Sequence, residues 1–451
     1  MTAGLQDHSA VRWLEPLRRT GLALALDDWA LLARFEHDLT NLIDPVARDP
    51  QALGLRVDEL DDSTEASATR QGGRSARLLA IKRALAARGY GALDVPTALG
   101  GAGHSPVLQL LVQFICGYRD LDQRDAATIG HGRLLIRHGT RSQLQRWLPR
   151  LLTGGLVGIA MTELHGGTQL RSITTTLVRR PRCTLLLTGE KCWVSRLAEA
   201  ELFIVVCQDP GHGLSVVMVD RSTPGVTHHL ITPGGLRGWS WGRLHFDHAR
   251  LRHDDILGIP GVGAILCADH FAYCRPLVAA TALGGAAAAV DQILARLHLR
   301  LDRGWIRAPR DSTLATIGRS VATIHAALLA CITAVQLAAS CDPAASTWGM
   351  LAKAHGVDAA YHVTTNLALL AGAAGFQAGS RLDKARRDLW GLQFADGIHE
   401  ELYRAAGRQL LPTAHSSHQT SKAGRISRGA IPPAGLPNIP AALAAPDTAR
   451  R

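Results

Sequence analysis

The stretch from Ile159 to Ser195 constrains the fold of this chain more than any other segment. Apolar and β-branched residues alternate there between glycine-rich turns, which is typical of strands. We therefore predict two strands joined by a loop, with a second hairpin at 188–191. Trp193 and the hydroxyls of Thr162 and Ser195 stand at the strand ends. Such side chains suit a flat polar ring, because an indole can cover its face and hydroxyls can meet its heteroatoms.

The motifs in this stretch resemble those of the acyl-CoA dehydrogenase family. AMTELHGGTQ at 160–169 resembles that family's A-M-T-E-P-x-A-G-S-D, and TGEKCWVS at 188–195 resembles its N-G-E-K-x-W-I-T. An ordinary β-hairpin with a buried tryptophan is the alternative interpretation of this segment taken alone. The resemblance implies that the following residues line FAD: Ile159, Met161, Thr162, Gly167, Thr168, Trp193, Val194 and Ser195.

The hydrophobic periodicity along the chain predicts an α+β protein built from three domains. Residues 1–155 form an N-terminal α-helical domain, apart from a polar loop or short disordered insert at 49–73. Residues 156–258 form a middle β-barrel or sandwich. Residues 259–412 form a C-terminal four-helix bundle with helices at 263–300, 314–340, 346–371 and 398–410, and the tail at 413–451 is predicted to be disordered. The resemblance covers about residues 90 to 410.

Composition narrows the classes of function. The net charge of +11 comes largely from arginines spread along the chain, which indicates anionic ligands such as FAD or CoA phosphates more than nucleic acid. No apolar run of about 18 residues and no basic-then-apolar N-terminus occur, so we expect no membrane span and a cytoplasmic location. The eight cysteines form no CxxC pair, which predicts free thiols and no metal site.

The resemblance places the catalytic base at Asp396. AGAAGF at 371–376, Arg387-Asp388 and ADGI at 395–398 match, without a gap, the family's F-G-G-x-G-F, R-D and Y-E-G-T. The family has Glu as the base. The carboxylate of the shorter Asp lies roughly 1.3 Å closer to the backbone. The alternative role for Asp396 is an N-cap of the following helix, because Asp is a favoured cap. His399 is predicted to lie on the surface of that helix.

Three further residues are predicted on the substrate side. Ala395 replaces an aromatic residue beside the base, which opens the pocket for a different or bulkier substrate. Some relatives carry the base on a helix before an arginine, and there this chain has Cys274 followed by Arg275. Since Cys274 is not a carboxylate, Asp396 is the only base that the pattern supplies.

The remaining cofactor contacts are weaker matches. The resemblance implies FAD contacts at Arg303, Gly372, Gly375 and Ile398. The position of the family's FAD-binding glutamine falls at about Leu314, and Ala272 stands where the family has an aspartate on the CoA side. The residues expected to contact the flavin ring are thus kept, whereas residues expected to contact the nucleotide part of FAD and CoA are replaced. This pattern favours an acyl group delivered on a carrier protein.

The resemblance predicts an FAD-dependent dehydrogenase that introduces a Cα–Cβ double bond into a CoA- or carrier-protein-bound acyl thioester. Asp396 would take the α-proton, and the flavin would take the β-hydride. One alternative is a flavin oxidase or monooxygenase on the same fold, as in the nitroalkane oxidases, which also have an Asp base. Another is a non-catalytic relative that binds nucleic acid. The implied partners are a flavoprotein or oxygen as electron acceptor and a second copy, in a homodimer or homotetramer.

Overall fold

The computed structural model describes residues 8–21, 24–43, 64–167, 170–180 and 184–411. Helices come first, then strands, then helices again, so the predicted α+β architecture is confirmed. Thr168 and the predicted tail at 413–451 lie outside the described residues. The first six helices are α1 (Ala10–Arg19), α2 (Leu26–Ile43), α3 (Thr64–Ala87), α4 (Pro106–Arg119), α5 (Arg133–His138) and α6 (Arg141–Leu152).

The N-terminal helices follow from local sequence signals. Helix α4 begins with Pro106 at its first position, and the Ser105 hydroxyl accepts a hydrogen bond from the Leu108 amide at 3.2 Å. These are favourable helix starts, because they satisfy or remove amide donors that lack partners inside the helix. The prediction of an irregular segment at 49–73 is wrong from Thr64 onward, where α3 begins. The rest of that segment lies outside the described residues.

The described residues of the middle part form one curled sheet of seven strands. The strands are β1 (Val157–Ala160), β2 (Thr176–Arg180), β3 (Thr184–Ser195), β4 (Leu202–Asp209), β5 (Gly213–Asp220), β6 (Val226–Leu230) and β7 (Trp241–Arg252). Their order is β1-β4-β2-β3-β7-β6, with β5 paired to β4. Alternate residues of β7 are buried, which is the pattern of a strand with one face on a core.

The hairpin predicted at 188–191 is wrong. Those residues continue through the single long strand β3, whose pairing with β7 shifts register between Leu187 and Gly189. A Cβ at Gly189 would lie 2.6 Å from the Thr175 hydroxyl oxygen. This glycine therefore marks a close approach of two segments and not a chain reversal.

The C-terminal part contains the four predicted helices and one more. They are α7 (Gly263–Asp302), α8 (Asp311–Ala339), α9 (Ala345–Leu370), α10 (Arg381–Leu392) and α11 (His399–Leu410). Helix α10 was not predicted, because it is short and largely polar, with Leu382, Asp388, Leu389 and Leu392 as its buried residues. Helices α7 and α9 pack closely, since a Cβ at Gly349 would lie 2.8 Å from the Ala272 carbonyl oxygen.

Helices α7 and α8 are each long and apolar enough to cross a membrane, judged by length and composition. In the most apolar window of α7, 78% of the residues are buried inside the protein, against 39% for α8. Burial of this extent is that of a core helix, so the apolar character of α7 is accounted for by packing. Helix α8 leaves more of its apolar surface exposed.

Candidate functional site

Two segments that resemble flavin-binding motifs are joined by a buried ion pair. The Lys191 ammonium nitrogen lies 2.8 Å from Glu163 Oε1, and both side chains are almost completely buried. Lys191 also donates to the Met161 carbonyl at 3.1 Å. The Cys192 amide donates to the Thr162 carbonyl at 2.8 Å. Residues 161–163 and 191–193 are therefore neighbours, as the motif resemblance requires.

The Glu163 carboxylate is fully satisfied within the sheet. Thr174 and Thr175 each donate both an amide and a hydroxyl to it, at distances between 2.6 and 2.9 Å. Burial alone would raise the pKa of Glu163, but these hydrogen bonds and Lys191 hold that pKa well below its usual range. The sequence reasoning missed this pair, although both residues stand inside the two motifs.

Trp193 presents an open aromatic face at the end of β3. Its φ is 62°, its side chain is 43% exposed, and its ring stacks on Trp241 with the centroids 5.1 Å apart. Tryptophan in this left-handed region is uncommon, and strain of this kind is frequent at functional sites. A large exposed indole in a strained backbone is suited to cover a ligand ring.

The groups beside Trp193 are polar or bare backbone. Thr162 and Ser195 are half-buried. A Cβ at Gly167 would lie 2.6 Å from Thr162 Oγ1, so only glycine leaves this hydroxyl uncovered. The Val194 side chain is buried in the sheet core, which leaves its backbone as the part that a ligand could meet. Together these features fit a flat heteroaromatic ring such as a flavin.

Asp396 lies in the turn between α10 and α11, half-buried, with a φ of 54°. Arg275 Nε donates to the Asp396 backbone carbonyl at 2.9 Å, so α7 holds this turn. Helix α11 begins at His399, and the residue that precedes it is Ile398. The alternative interpretation of Asp396 as an N-cap is therefore wrong. The side chain at 396 is left without a helix-capping role.

His399 is not a surface residue, contrary to the prediction. It is 8% exposed, and its Nδ1 lies 2.6 Å from Asp358 Oδ1 on α9. This contact fixes the start of α11 against the bundle, immediately after the Asp396 turn. The tertiary partner of His399 is 41 residues away, which local periodicity does not reveal.

The strand residues and the Asp396 turn meet at α7. Ile159, Met161 and Cys274 are partly buried against the same apolar cluster, which joins the sheet to α7. Burial first, and then the charge of Asp396, raise the pKa of the Cys274 thiol well above its usual value. Asp396 also acts electrostatically on Arg196, the residue that follows Ser195. The predicted base and the predicted flavin contacts thus converge.

A charged network that was not predicted lies beside Ser195. Arg196 binds Asp125 with two contacts of 2.7 Å each. Burial alone would raise the pKa of Asp125, but Arg196 and Arg124 outweigh it and lower that pKa to about 2. Arg124 Nη2 donates to the Ser195 hydroxyl at 3.5 Å. A positive charge therefore stands next to a hydroxyl predicted to face the flavin.

Comparison with known families decides what this site belongs to. Family models of the acyl-CoA dehydrogenase N-terminal, middle and C-terminal domains match residues 63–155, 158–249 and 261–411. The three matches follow one another in order and span most of the chain. The protein belongs to the acyl-CoA dehydrogenase family. Members of this family are FAD-dependent oxidoreductases that act on CH–CH bonds, and the protein is an oxidoreductase of this class.

Individual acyl-CoA dehydrogenases and related enzymes are similar to this chain. The Mycobacterium tuberculosis protein named "Probable acyl-CoA dehydrogenase FadE25" is 25% identical over 348 residues, which cover 73% of this chain and 86% of that protein. The structure of a glutaryl-CoA dehydrogenase from Mycobacterium smegmatis in complex with FADH2 has a TM-score of 0.73 at 19% identity, with 88% of this chain and 98% of that chain covered. The prolyl acyl carrier protein oxidase AnaB has a TM-score of 0.68 at 18% identity, with 86% of this chain and 100% of that chain covered.

Of the remaining predicted FAD contacts of this family member, Ile398 lies in the segment that carries Asp396. Arg303, directly after α7, and Gly372, after α9, are exposed, and Ile398 is 50% exposed. A Cβ at Gly375 would lie 2.0 Å from the Ala368 carbonyl oxygen, so close packing on α9 accounts for that glycine. Arg303 lies 29 positions after Cys274 along α7, or about 43 Å at the helical rise. Arg303 is therefore remote from Arg275, which holds the Asp396 turn.

Proposed function

We propose that this protein is an FAD-dependent dehydrogenase that introduces a Cα–Cβ double bond into an acyl thioester, with Asp396 as the base. The convergence of Asp396, Cys274 and the end of β1 around α7, with Ile159 and Met161 in the same apolar cluster as Cys274, is the observation that carries this proposal. Membership of the family supports the reaction class. FAD, when bound, supplies the acceptor for the β-hydride.

The side chains around Asp396 support proton abstraction from an acyl chain. Asp396 is half-buried, and a base works best as a carboxylate with little water around it. Its backbone is held by Arg275, so the carboxylate is carried on a fixed turn. Ala395 places only a methyl group beside it, partly buried against the helical core.

The thioester carrier is proposed to be an acyl carrier protein. Ala272, which stands where the resembled family has a CoA-side aspartate, is buried against Gly349 and offers no polar contact. The fold likeness to a protein named prolyl acyl carrier protein oxidase supports this proposal. An assay with both carriers decides between them.

We further propose that the functional unit contains at least two copies of the chain. The separation of Arg303 from Cys274 along α7 supports this, because Arg303 could then serve the FAD of the other copy. Within the described residues, Trp305 and Leu314 are exposed beside Arg303, at 66% and 52%. Apolar exposure of this kind is common at subunit interfaces.

The test is anaerobic bleaching of the flavin absorbance by a panel of acyl-CoA and acyl-carrier thioesters, for wild type and Asp396→Asn. Asparagine tolerates the left-handed backbone at position 396, so this variant removes the ionisable carboxylate without new strain. We expect bleaching by a carrier-bound thioester in the wild type and its loss in the variant. Equal bleaching of the variant would place the base elsewhere.

The two alternative functions have their own outcomes in this assay. Stoichiometric peroxide on admission of oxygen would indicate an oxidase. A protein that takes up no flavin after reconstitution, and that binds duplex DNA with a steep salt dependence, would favour the nucleic-acid-binding relative.

A further inference from the structure

Lys353 is a fully buried cation directly beneath the turn that carries Asp396. It lies in α9, has no exposed surface, and donates to the Gly397 carbonyl at 2.7 Å and to the Gln393 carbonyl at 3.4 Å. These two carbonyls bracket the turn. Since burial of an ammonium group is costly, its presence here requires a compensating role.

The turn is held from two helices at once. Arg275 of α7 donates to the Asp396 carbonyl, and Lys353 of α9 donates to the carbonyls on either side of it. The backbone between them has positive φ angles, 54° at Asp396 and 113° at Gly397. Two cationic side chains therefore hold this left-handed turn from two different helices.

The charges around Lys353 single out Asp396 as its available counter-ion. The groups that act on it are Asp396 in the turn, Arg275 on α7 and Asp358 on its own helix α9. Asp358 is already engaged, because His399 and Tyr403 of α11 hydrogen-bond to its two oxygens. Among the described residues, no ion pair is formed by Lys353 or by Asp396.

We propose that Lys353 is a positioning residue for Asp396, whose ammonium group fixes the turn and favours the ionised form of the carboxylate. This inference rests on the proposed function, in which Asp396 is the base. Burial lowers the pKa of Lys353 to about 7, against the opposing influence of Asp396. The ammonium is therefore charged over the acidic range in which a carboxylate titrates.

The test compares Lys353→Met with Lys353→Gln in the FAD-loaded enzyme. Methionine removes the charge and the hydrogen bonds, whereas glutamine removes the charge and keeps an amide donor, one bond closer to the backbone than the ammonium group. Lys82→Met is the matched control, since Lys82 is also buried and donates to two backbone carbonyls, those of Asp125 and Thr128. The readouts are the pH profile of anaerobic flavin bleaching and amide exchange at 394–398.

In both Lys353 variants we expect the acidic limb of the pH profile to move up by about one pH unit, because a nearby cation favours the carboxylate. We expect the bleaching rate of Lys353→Met to fall by roughly a hundredfold through misplacement of the base. Amide exchange at 394–398 should accelerate in Lys353→Met and much less in Lys353→Gln. In the control, both the acidic limb and the exchange at 394–398 should stay as in the wild type.

If neither the pH profile nor the amide exchange changed in the two Lys353 variants, this inference would be overturned. Loss of bleaching in Asp396→Asn would still support the proposed function. If no thioester bleached the wild type, the proposed function would fail instead. The amide exchange would then still test whether Lys353 holds the turn, because unchanged exchange in Lys353→Met would exclude that role. Should Lys353→Met not fold, the pH profile of Lys353→Gln carries the test, and an unchanged profile overturns the inference.

Discussion

Lys191 and Glu163 are 28 positions apart in the chain, and their side chains meet at 2.8 Å inside the sheet. The pair fixes the spacing between the β3 end and the segment after β1, the two places predicted to line the flavin. Neither charge reaches solvent to any useful extent. The geometry of the candidate flavin site therefore depends on an ion pair that does not itself line the ring.

Removal of the Glu163 charge should damage both stability and flavin binding. Glu163→Gln leaves Lys191 buried without its counter-ion, which costs about 3–5 kcal/mol of unfolding free energy for a buried pair. Denaturant unfolding and the flavin content after gel filtration measure the two effects. Glu190→Gln makes the same change at a more exposed site on the same strand. The free energy of unfolding of this variant should stay within about 0.5 kcal/mol of that of wild type.

Trp193→Gly should separate stability from flavin binding. Glycine adopts the left-handed backbone at 193 without the strain of about 1 kcal/mol that a larger residue carries. The stacking on Trp241 that is lost is worth a similar amount, about 0.5–1.5 kcal/mol. We therefore expect an unfolding free energy close to that of wild type and a flavin affinity at least about tenfold weaker, since the aromatic cover is gone.

Trp348→Ala is the control for loss of an exposed indole, because Trp348 is 41% exposed on α9. Its flavin affinity should match that of wild type in the same fluorescence titration. A Trp193→Gly protein with undiminished flavin affinity would show that the ring does not lie on this face.

A buried histidine pair should make the protein sensitive to acid. His131 Nδ1 lies 2.9 Å from His270 Nε2, and burial lowers the pKa of His131 to about 3 and that of His270 well below 6.5. As the pH falls below 6.5, the unfolded chain takes up protons that the folded protein does not. Stability is thus lost on acidification between pH 6.5 and about 3.

His131→Gln should flatten this dependence, because glutamine keeps a hydrogen-bonding group without a titrating one. Between pH 7.5 and pH 5 the loss of unfolding free energy should be smaller than in wild type by about 2 kcal/mol. Urea denaturation at the two pH values measures it. His248→Gln, at an exposed site on β7, should leave the difference as it is in wild type.

Asp396→Glu tests whether the site is built for the shorter acid. The added methylene shifts the carboxylate by more than 1 Å, and a misplacement of about that size costs on the order of a hundredfold in rate. We expect slower flavin bleaching by the substrate that wild type uses, with the protein still folded. A rate equal to that of wild type would indicate that the pocket tolerates either carboxylate.

Asp388→Asn tests the contact that brings α10 to the sheet domain. Asp388 Oδ1 accepts a hydrogen bond from the Leu236 amide at 2.5 Å, and Oδ2 lies 2.6 Å from Lys384 Nζ. Lys384 also pairs with Asp120 and Asp122, at 2.7 and 3.0 Å, so the variant leaves this cation with carboxylate partners and we expect a loss of only about 1–2 kcal/mol in the free energy of unfolding, measured by denaturant unfolding. Arg387-Asp388 is one of the motif pieces that fixed the sequence alignment, and the structure gives its aspartate this joining role.

The local patterns in the sequence were sufficient for the architecture. Strand signals within 156–258 and helical spacing over 263–300 predicted elements that the structure contains, because strand and helix periodicities depend on neighbours a few positions apart. The same reasoning failed at 188–191, where a glycine marked close approach instead of a turn, and it missed the short polar helix α10. Motif spacing also placed the candidate base at Asp396, next to α7.

Tertiary structure alone decided which side chains support the site. Glu163 meets Thr175, Lys353 meets the Gly397 carbonyl, and His131 meets His270 across separations of 12, 44 and 139 residues. Nothing in local propensity specifies such partners, since they arise only when elements pack and buried polar groups must be satisfied. The sequence by itself therefore determined most of the elements and the motifs, and it predicted the position of the candidate base. The folded structure decided what holds that carboxylate in place, because burial without a partner would cost more than the fold can tolerate.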